Sequence, residues 1–428
     1  MVEPRFVPRN EHTLSRKDID PDALTVLYKL HQASHIAYLV GGSVRDLLLG
    51  RRPKDFDIGT SAHPPQVKRL FRHCWIIGRR FRLAHVKFGT KVIEVATFRR
   101  LVQPEESAPD QPNPAAHDQA SPAARVHNPA QMFLDNTFGT PEEDAFRRDF
   151  TINALFYDIG TFAVIDYVNG LEDLRAGVVR SIGDPEVRFL EDPVRMLRAV
   201  ALSARLGFAI DPPTLDAIRL HRRELARSSQ PRLLEEYYKI LRSGYAQKTF
   251  QSLSDVGLLE PISEELHLGA GEVLWKSLAR LDEYRNRFES APQTLTNAIL
   301  LGSLLVPLGL MSPPYHADID PPRLGALPLA RRDVERIRQV MGLQRRLREH
   351  GAPPRVQSSL VHRHVFQDAL TWLEVHGEVP ELVEHWKVVH NERGAALPAP
   401  DAAGPEGAPP FRRRRRRRRR RRHQGPEH

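Results

Sequence analysis

Leu39-Val40-Gly41-Gly42-Ser43-Val44-Arg45-Asp46, with Asp55-Phe56-Asp57 nine residues past the last aspartate, decides how this chain is read. A short apolar strand runs into paired glycines, and two carboxylates follow, one residue apart. Alternate side chains of a strand share a face, so Asp55 and Asp57 can point at one spot. Two carboxylates there repel each other unless a cation sits between them. Hard oxygen ligands of this kind suit magnesium bound together with phosphates. The pair points to metal-dependent transfer of a nucleotidyl group; an exposed strand edge or turn after Pro53-Lys54 is the plainer reading.

Working outward, Glu94 interrupts the apolar run Val92-Ile93-Glu94-Val95-Ala96. A carboxylate in such a strand is costly unless paired or metal-bound. Three carboxylates from two neighbouring strands can hold two ions that activate a hydroxyl and neutralise leaving pyrophosphate. Gly41-Gly42-Ser43 joins a strand to a helix, where backbone N–H groups attract anions; a bare tight turn fits as well. Arg45 either adds charge to a triphosphate or pairs with Asp46. Arg147-Arg148-Asp149-Phe150-Thr151-Ile152-Asn153 puts two cations, a carboxylate and an amide before an apolar run. Asp149 can accept from ribose hydroxyls and the arginines can contact phosphates, or these are solvated charges at an element's entry. In Glu191-Asp192-Pro193-Val194-Arg195-Met196-Leu197-Arg198, a proline opens a helix. Asp192 and Arg195 share a face and offer an acceptor and a forked donor matching adenine's edge; a terminal ion pair is the bland alternative.

The 428 residues allow two or three domains. Helical spacing runs over Pro21–Ala33 and Val44–Leu49, with Thr60 or Ser61 capping a third helix through Phe71. Strands are expected at Ile36–Val40, Phe56–Ile58, Ile76–Gly78, Leu83–Phe88, Lys91–Phe98, Ala154–Tyr157 and Phe162–Val168. This is a small mixed α/β unit. Leu101–Gln131, rich in Pro, Ala, Asp, Gln and Ser, reads as a mobile loop, a flap or a neutral insertion. From Pro185 to about His390 the pattern is helical.

Net charge is +10, yet Arg412–Arg422 is an unbroken run of 11 arginines, and without it the chain carries −1. Such a run stays extended and seeks polyanions with steep salt dependence. RNA is the expected partner through Arg412, Arg415, Arg418 and Arg422, with DNA, an anionic membrane or a solubilising role as alternatives. The single cysteine, Cys74, excludes an internal disulfide and cysteine-rich zinc sites. The N-terminal residues lack a signal pattern. The apolar run Ala298–Leu310 is shorter than the ~20 residues a bilayer needs. A soluble, cytoplasmic protein with no membrane association is expected, and no obligate protein partner is evident.

As a set, these blocks resemble the class II nucleotidyltransferase family, which holds bacterial poly(A) polymerases and tRNA CCA-adding enzymes. The resemblance covers roughly residues 15 to 390. It implies that Asp55, Asp57 and Glu94 are catalytic metal ligands for Mg2+, with Mn2+ as the alternative ion. Gly41, Gly42, Ser43, Arg45, Arg148, Asp149, Asn153, Asp192, Arg195 and Arg198 would bind the nucleotide. It implies an α/β nucleotidyltransferase head (a mixed sheet with helices), followed by an all-α neck and body and a disordered basic tail. The boundaries expected are a flexible N-terminus 1–20, head 21–180 with its mobile loop 101–131, neck 181–245, RNA-binding body 246–395 and tail 396–428.

The segment Ile76-Ile77-Gly78-Arg79-Arg80-Phe81-Arg82-Leu83-Ala84-His85-Val86 looks like one that marks the poly(A) polymerase branch. Pro307-Leu308 and Gln344-Arg345-Arg346-Leu347 are similar to that branch too. The resemblance thus implies a polynucleotide adenylyltransferase that extends RNA 3′ ends from ATP, an activity of mRNA processing. The rivals are tRNA CCA- or A-addition, which shares the selector pair, and a non-catalytic RNA-binding protein on the same scaffold. The long loop and the extreme arginine run depart from the family pattern.

Overall fold

The computed structural model describes residues 3–78, 82–100, 137–311, 322–349 and 353–394. The Leu101–Gln131 loop and the tail with Arg412, Arg415, Arg418 and Arg422 lie outside the described residues.

Strands β1 (Arg5–Val7), β2 (Ala37–Val40), β3 (Asp57–Thr60), β4 (Cys74–Ile77), β5 (Leu83–Phe88), β6 (Lys91–Thr97), β7 (Leu155–Asp158) and β8 (Val164–Asp166) form one mixed sheet. Its order is β1-β8-β7-β2-β3-β6-β5-β4. The β3/β6 pair is parallel, and the other neighbours run antiparallel. One face carries Leu39, Ile58, Ala84, Val86, Ile93 and Val95 into the core. Helices Pro21–Gln32 and Pro64–Leu70 cover it, burying Ala23, Val26, Leu27, Leu30 and Val67. Asp20 caps the first of these helices, its Oδ1 accepting from the Asp22 and Ala23 amides, and Pro21 presets its first turn. Each fully buried aliphatic chain contributes on the order of 1.5–3 kcal/mol. The other face holds a second cluster of Val40, Phe98, Phe156, Ile165 and Tyr167. Gly59 is required there, since a Cβ would stand 2.5 Å from Phe98 Cε1.

From Pro185 the chain is largely helical. Helix Val194–Leu206 starts after Pro193 and stops at Gly207, whose φ of 75° ends it in the left-handed region. Helices Pro185–Glu191 and Gln230–Leu241 pack beside it, and helix Asn297–Leu305 is buried from Ala298 to its end. Among the described residues no helix is long and apolar enough to cross a membrane.

Three expectations are corrected. Residues 3–20 are not flexible as expected: β1 pairs with β8, and Val7, Leu14 and Ile19 are buried. Helix Pro64–Leu70 is capped at His63, whose amide donates to Gln66 Oε1, not at Thr60 or Ser61. Thr60 is instead the last residue of β3, its hydroxyl donating to the Ile36 carbonyl. The strand after the glycines begins at Asp57, so Asp55 lies just before it.

Candidate active site

Register decides which acids can meet. Ile58 pairs with Val95 in the parallel β3/β6 ladder, so Asp57 and Glu94, one residue earlier on each strand, share the opposite, open face. Val40 pairs with Asp57, which brings the end of β2, and the glycine turn after it, to the same place. The Asp57 carboxyl is pushed up to about 6, by burial first and then by the charges of Glu94 and Asp55, while Arg148 pulls it down. Asp57 is nonetheless solvent-reachable on the open face of the sheet. Asp55 lies 3.7 Å from Lys54 Nζ, and Glu94 Oε1 lies 3.6 Å from His85 Nε2. Like charges repel, and each outer carboxylate rests against its nearest base. Among the described residues no three acid, His or Cys side chains are gathered closely enough to hold an ion together. The three acids share a region and one another's fields; the tight convergence expected from sequence is not formed.

Gly41 has φ 73° and ψ −132°, and its N–H donates to the Leu155 carbonyl at 3.0 Å. A Cβ there would stand 2.9 Å from Arg148 Nη1. Gly41→Ala therefore meets both backbone strain and a displaced guanidinium. A loss of about 1–3 kcal/mol is expected in chemical denaturation; an unchanged midpoint would show that the turn relaxes freely. Ser43 is buried and its hydroxyl donates to the Val40 carbonyl, so it closes the turn. Arg45 is buried as well, paired with Asp46 at 2.7 Å and bonded to Asn153 Oδ1. Its plainer sequence reading, the pair with Asp46, holds, but inside the protein.

Asn153 is the hub. Its Oδ1 accepts from Arg45, its Nδ2 donates to Asp149 Oδ1 at 3.1 Å, and its carbonyl accepts from Arg148 at 3.3 Å. Arg148 also grips Asp144 at 2.8 Å and lies 5.2 Å over the Phe156 ring. Asp149 takes the Phe150 amide on Oδ1 and Arg198 on Oδ2 at 2.7 Å. Burial pushes the Asp149 carboxyl up, but Arg198 foremost, with Asn153, brings it below the usual range. Arg198 thereby ties the helical part to the head. Arg188, buried, donates to the carbonyls of Arg147 and Arg148 at 2.9 and 2.7 Å and completes that junction.

Asp192 and Arg195 do not pair through their side chains. Asp192 Oδ2 accepts from Arg232 at 2.9 Å, and Arg195 donates to Glu191 and the Arg188 carbonyl, both at 3.2 Å. The structure thus brings Gly41, Gly42, Ser43, Arg45, Arg148, Asp149, Asn153 and Arg198 into one hydrogen-bonded region. Sequence reading gave no site role to Asp144, Arg188, Arg232 and His85, or to Glu236, which lies 3.8 Å from Arg198. Arg188, one turn before Asp192, and Asp144, four residues before Arg148, carried a local signal; the others arrive through contacts between elements. Two further cavities lie elsewhere, one of about 240 Å3 beside His31, Tyr38 and Asp158, and one of about 400 Å3 beside Arg280, Arg287, Glu374 and Lys387.

With a glycine turn and acids on the open face of a mixed sheet, followed by a helical half, the geometry is that of a nucleotidyltransferase head on a helical body. Residues 37–180 match the family model described as the poly A polymerase head domain. Residues 207–268 match a probable RNA- and SrmB-binding site of polymerase A, and 322–422 match a polymerase A arginine-rich C-terminus. The poly(A) polymerase I of Salmonella typhimurium is 49% identical over 257 residues, 60% of this chain and 53% of that protein. The CCA-adding enzyme of Lactobacillus helveticus is 37% identical over 248 residues, 58% of this chain and 56% of that one. The Bacillus stearothermophilus CCA-adding enzyme in complex with CTP superposes with a TM-score of 0.55 at 25% identity, covering 89% of this chain and 84% of that chain. The chain spans about half the length of the curated relatives it matches. The polymerase A head, RNA-binding and arginine-rich models match in that order along the chain.

Proposed function

We propose that this protein extends RNA 3′ ends with adenylate, without a template, taking ATP and releasing pyrophosphate. The observation that carries the reading is the acid row: Asp57 and Glu94 on one sheet face, with Asp57 raised to about 6 by burial, Glu94 and Asp55. Carboxylates that disfavour one another's charge are a fitting donor set for a divalent cation. Asp55 and Glu94 would turn from Lys54 and His85 toward Asp57, and the three would then hold Mg2+, or Mn2+ in its place. The ion supplies charge neutralisation at the transferred phosphate and a lower pKa for the attacking hydroxyl. The chain's own part is positioning and fixed charge. Arg148, beside Gly41, offers its guanidinium to phosphate. Asn153 and Arg198 hold Asp149 in place for a ribose hydroxyl. Arg232 and Glu191 hold Asp192 and Arg195 apart, and so aimed separately at adenine's edge. The arginine run would add sequence-independent affinity for RNA.

The 49% identity to poly(A) polymerase I supports the adenylate reading. A tRNA-repair activity is the second reading, favoured by the CCA-adding relative and by the likeness to a CCA-adding structure. The deciding experiment offers each single nucleotide to a tRNA ending in CC and to an unrelated RNA. Long adenylate tails on both support polyadenylation. Arrest after one A on the tRNA alone supports repair and overturns it.

A further inference from the structure

The open face of the sheet does not end at Glu94. His85 pairs with Glu94 across β5/β6, and Trp75 pairs with His85 across β4/β5. Directly opposed residues share a face, so Asp57, Glu94, His85 and Trp75 form one row across four strands. At about 4.8 Å per strand, the Trp75 position lies about 10 Å from that of Glu94. Alternation puts Ile77, Lys87 and Val92 on the same face. Trp75 is 50% exposed, Ile77 50% and Val92 43%, and Lys87 is exposed too. On the other side of these strands Cys74, Ala84, Val86, Ile93 and Val95 are buried, under helices Pro21–Gln32 and Pro64–Leu70.

An indole half in solvent beside exposed aliphatic chains, flanked by a lysine and an imidazole and continuous with a row of acids, needs an occupant. We propose that this outer platform seats bases near the RNA 3′ end, with Trp75 as the stacking ring, so that the terminal ribose is delivered to Glu94. The inference rests on the polymerase reading above and names where its primer strand lies. Three observations favour a nucleic-acid strand over another apolar surface. The platform is in register with the acids. Its added charge at Lys87 complements phosphate. Its apolar part is one ring and two aliphatic chains, enough for a base stack. Stacking on an aromatic ring tolerates any base, which suits a reaction that must accept whatever 3′ end it meets.

The test uses the full chain with Trp75→Ala and Trp75→Phe; exposure of Trp75 lets both fold, which thermal melting checks. Without ATP, oligoadenylate should quench tryptophan fluorescence of the parent and lose that quench in Trp75→Phe. By anisotropy of labelled oligoadenylate, Trp75→Ala should bind about tenfold more weakly and Trp75→Phe within about twofold of the parent. In elongation, KM for the RNA should rise about tenfold in Trp75→Ala with KM for ATP unchanged. An abasic nucleotide near the 3′ end should weaken the parent and leave Trp75→Ala unaffected. Parent-like binding and elongation by Trp75→Ala would overturn the proposal. So would equal weakness in Trp75→Phe, or a change of sedimentation with RNA affinity untouched, which would make the face an interface between copies of this chain. A parent that adds no nucleotide to any RNA would sink the polymerase reading instead, and the binding measurements would still judge the platform.

Discussion

Asp57→Asn is expected to cut ATP incorporation about a thousandfold and, in chelator, to raise the melting temperature at pH 8. The activity loss follows from removing the central donor of the acid row, worth roughly 4 kcal/mol of transition-state stabilisation. The stability gain follows from the same residue's position. Burial, then Glu94 and Asp55, lift its folded pKa to about 6 from 3.8. The folded protein therefore holds this proton more tightly than the unfolded chain. Stability associated with the protonated form is fully present below about pH 4 and is lost as pH rises through about 6. Asparagine cannot ionise, so the variant's advantage opens across that window and is absent at pH 4. Paired melts at pH 4 and 8 with single-turnover incorporation read both effects. Equal melts at both pH values, or near-parental incorporation, would contradict the account.

The second large effect is expected at the junction. Asp149→Ala removes an acceptor that Arg198, Asn153 and the Phe150 amide all use. Breaking one side of a buried pair costs 3–5 kcal/mol in full burial; Arg198 is 44% exposed, so about 2 kcal/mol is expected here. The sign with pH is opposite to that of Asp57. The Asp149 carboxyl sits below its ordinary 3.8, because Arg198, Asn153 and the Phe150 amide together outweigh burial. Its contribution is present above about 3.8 and fades as pH falls through the lower folded value. Denaturant melts of Asp149→Ala, Arg198→Ala and the double variant should be non-additive at pH 7. Additive losses would show that the two side chains act independently.

Much of this was legible in the sequence. The paired glycines marked a strand-to-helix turn, and Leu39, Val40 and Val92–Ala96 declared strands by composition. The lone Glu94 in its apolar run marked the open face, because a carboxylate cannot point into the core that Ile93 and Val95 enter. The set of blocks carried the family. What stayed hidden is what register and long-range packing decide. No spacing rule places Arg232 on Asp192 across forty residues, or Asn153 on Arg45 across 108. A short strand such as Arg5–Val7 has too few residues to show alternation. β3 starts at Asp57, one residue after the expected Phe56, and leaves Asp55 off the strand, which weakens the alternation argument. The acids still share a region, through the turn into β3 and the β3/β6 register.

The measurement that tests the central claim most directly is divalent-cation binding by the acid row itself, read without turnover. Manganese titrated into the full chain and followed by electron paramagnetic resonance should show a site that Asp57→Asn abolishes and Glu94→Gln weakens, with both variants folded. Parental manganese binding in Glu94→Gln and Asp57→Asn alike would contradict the account.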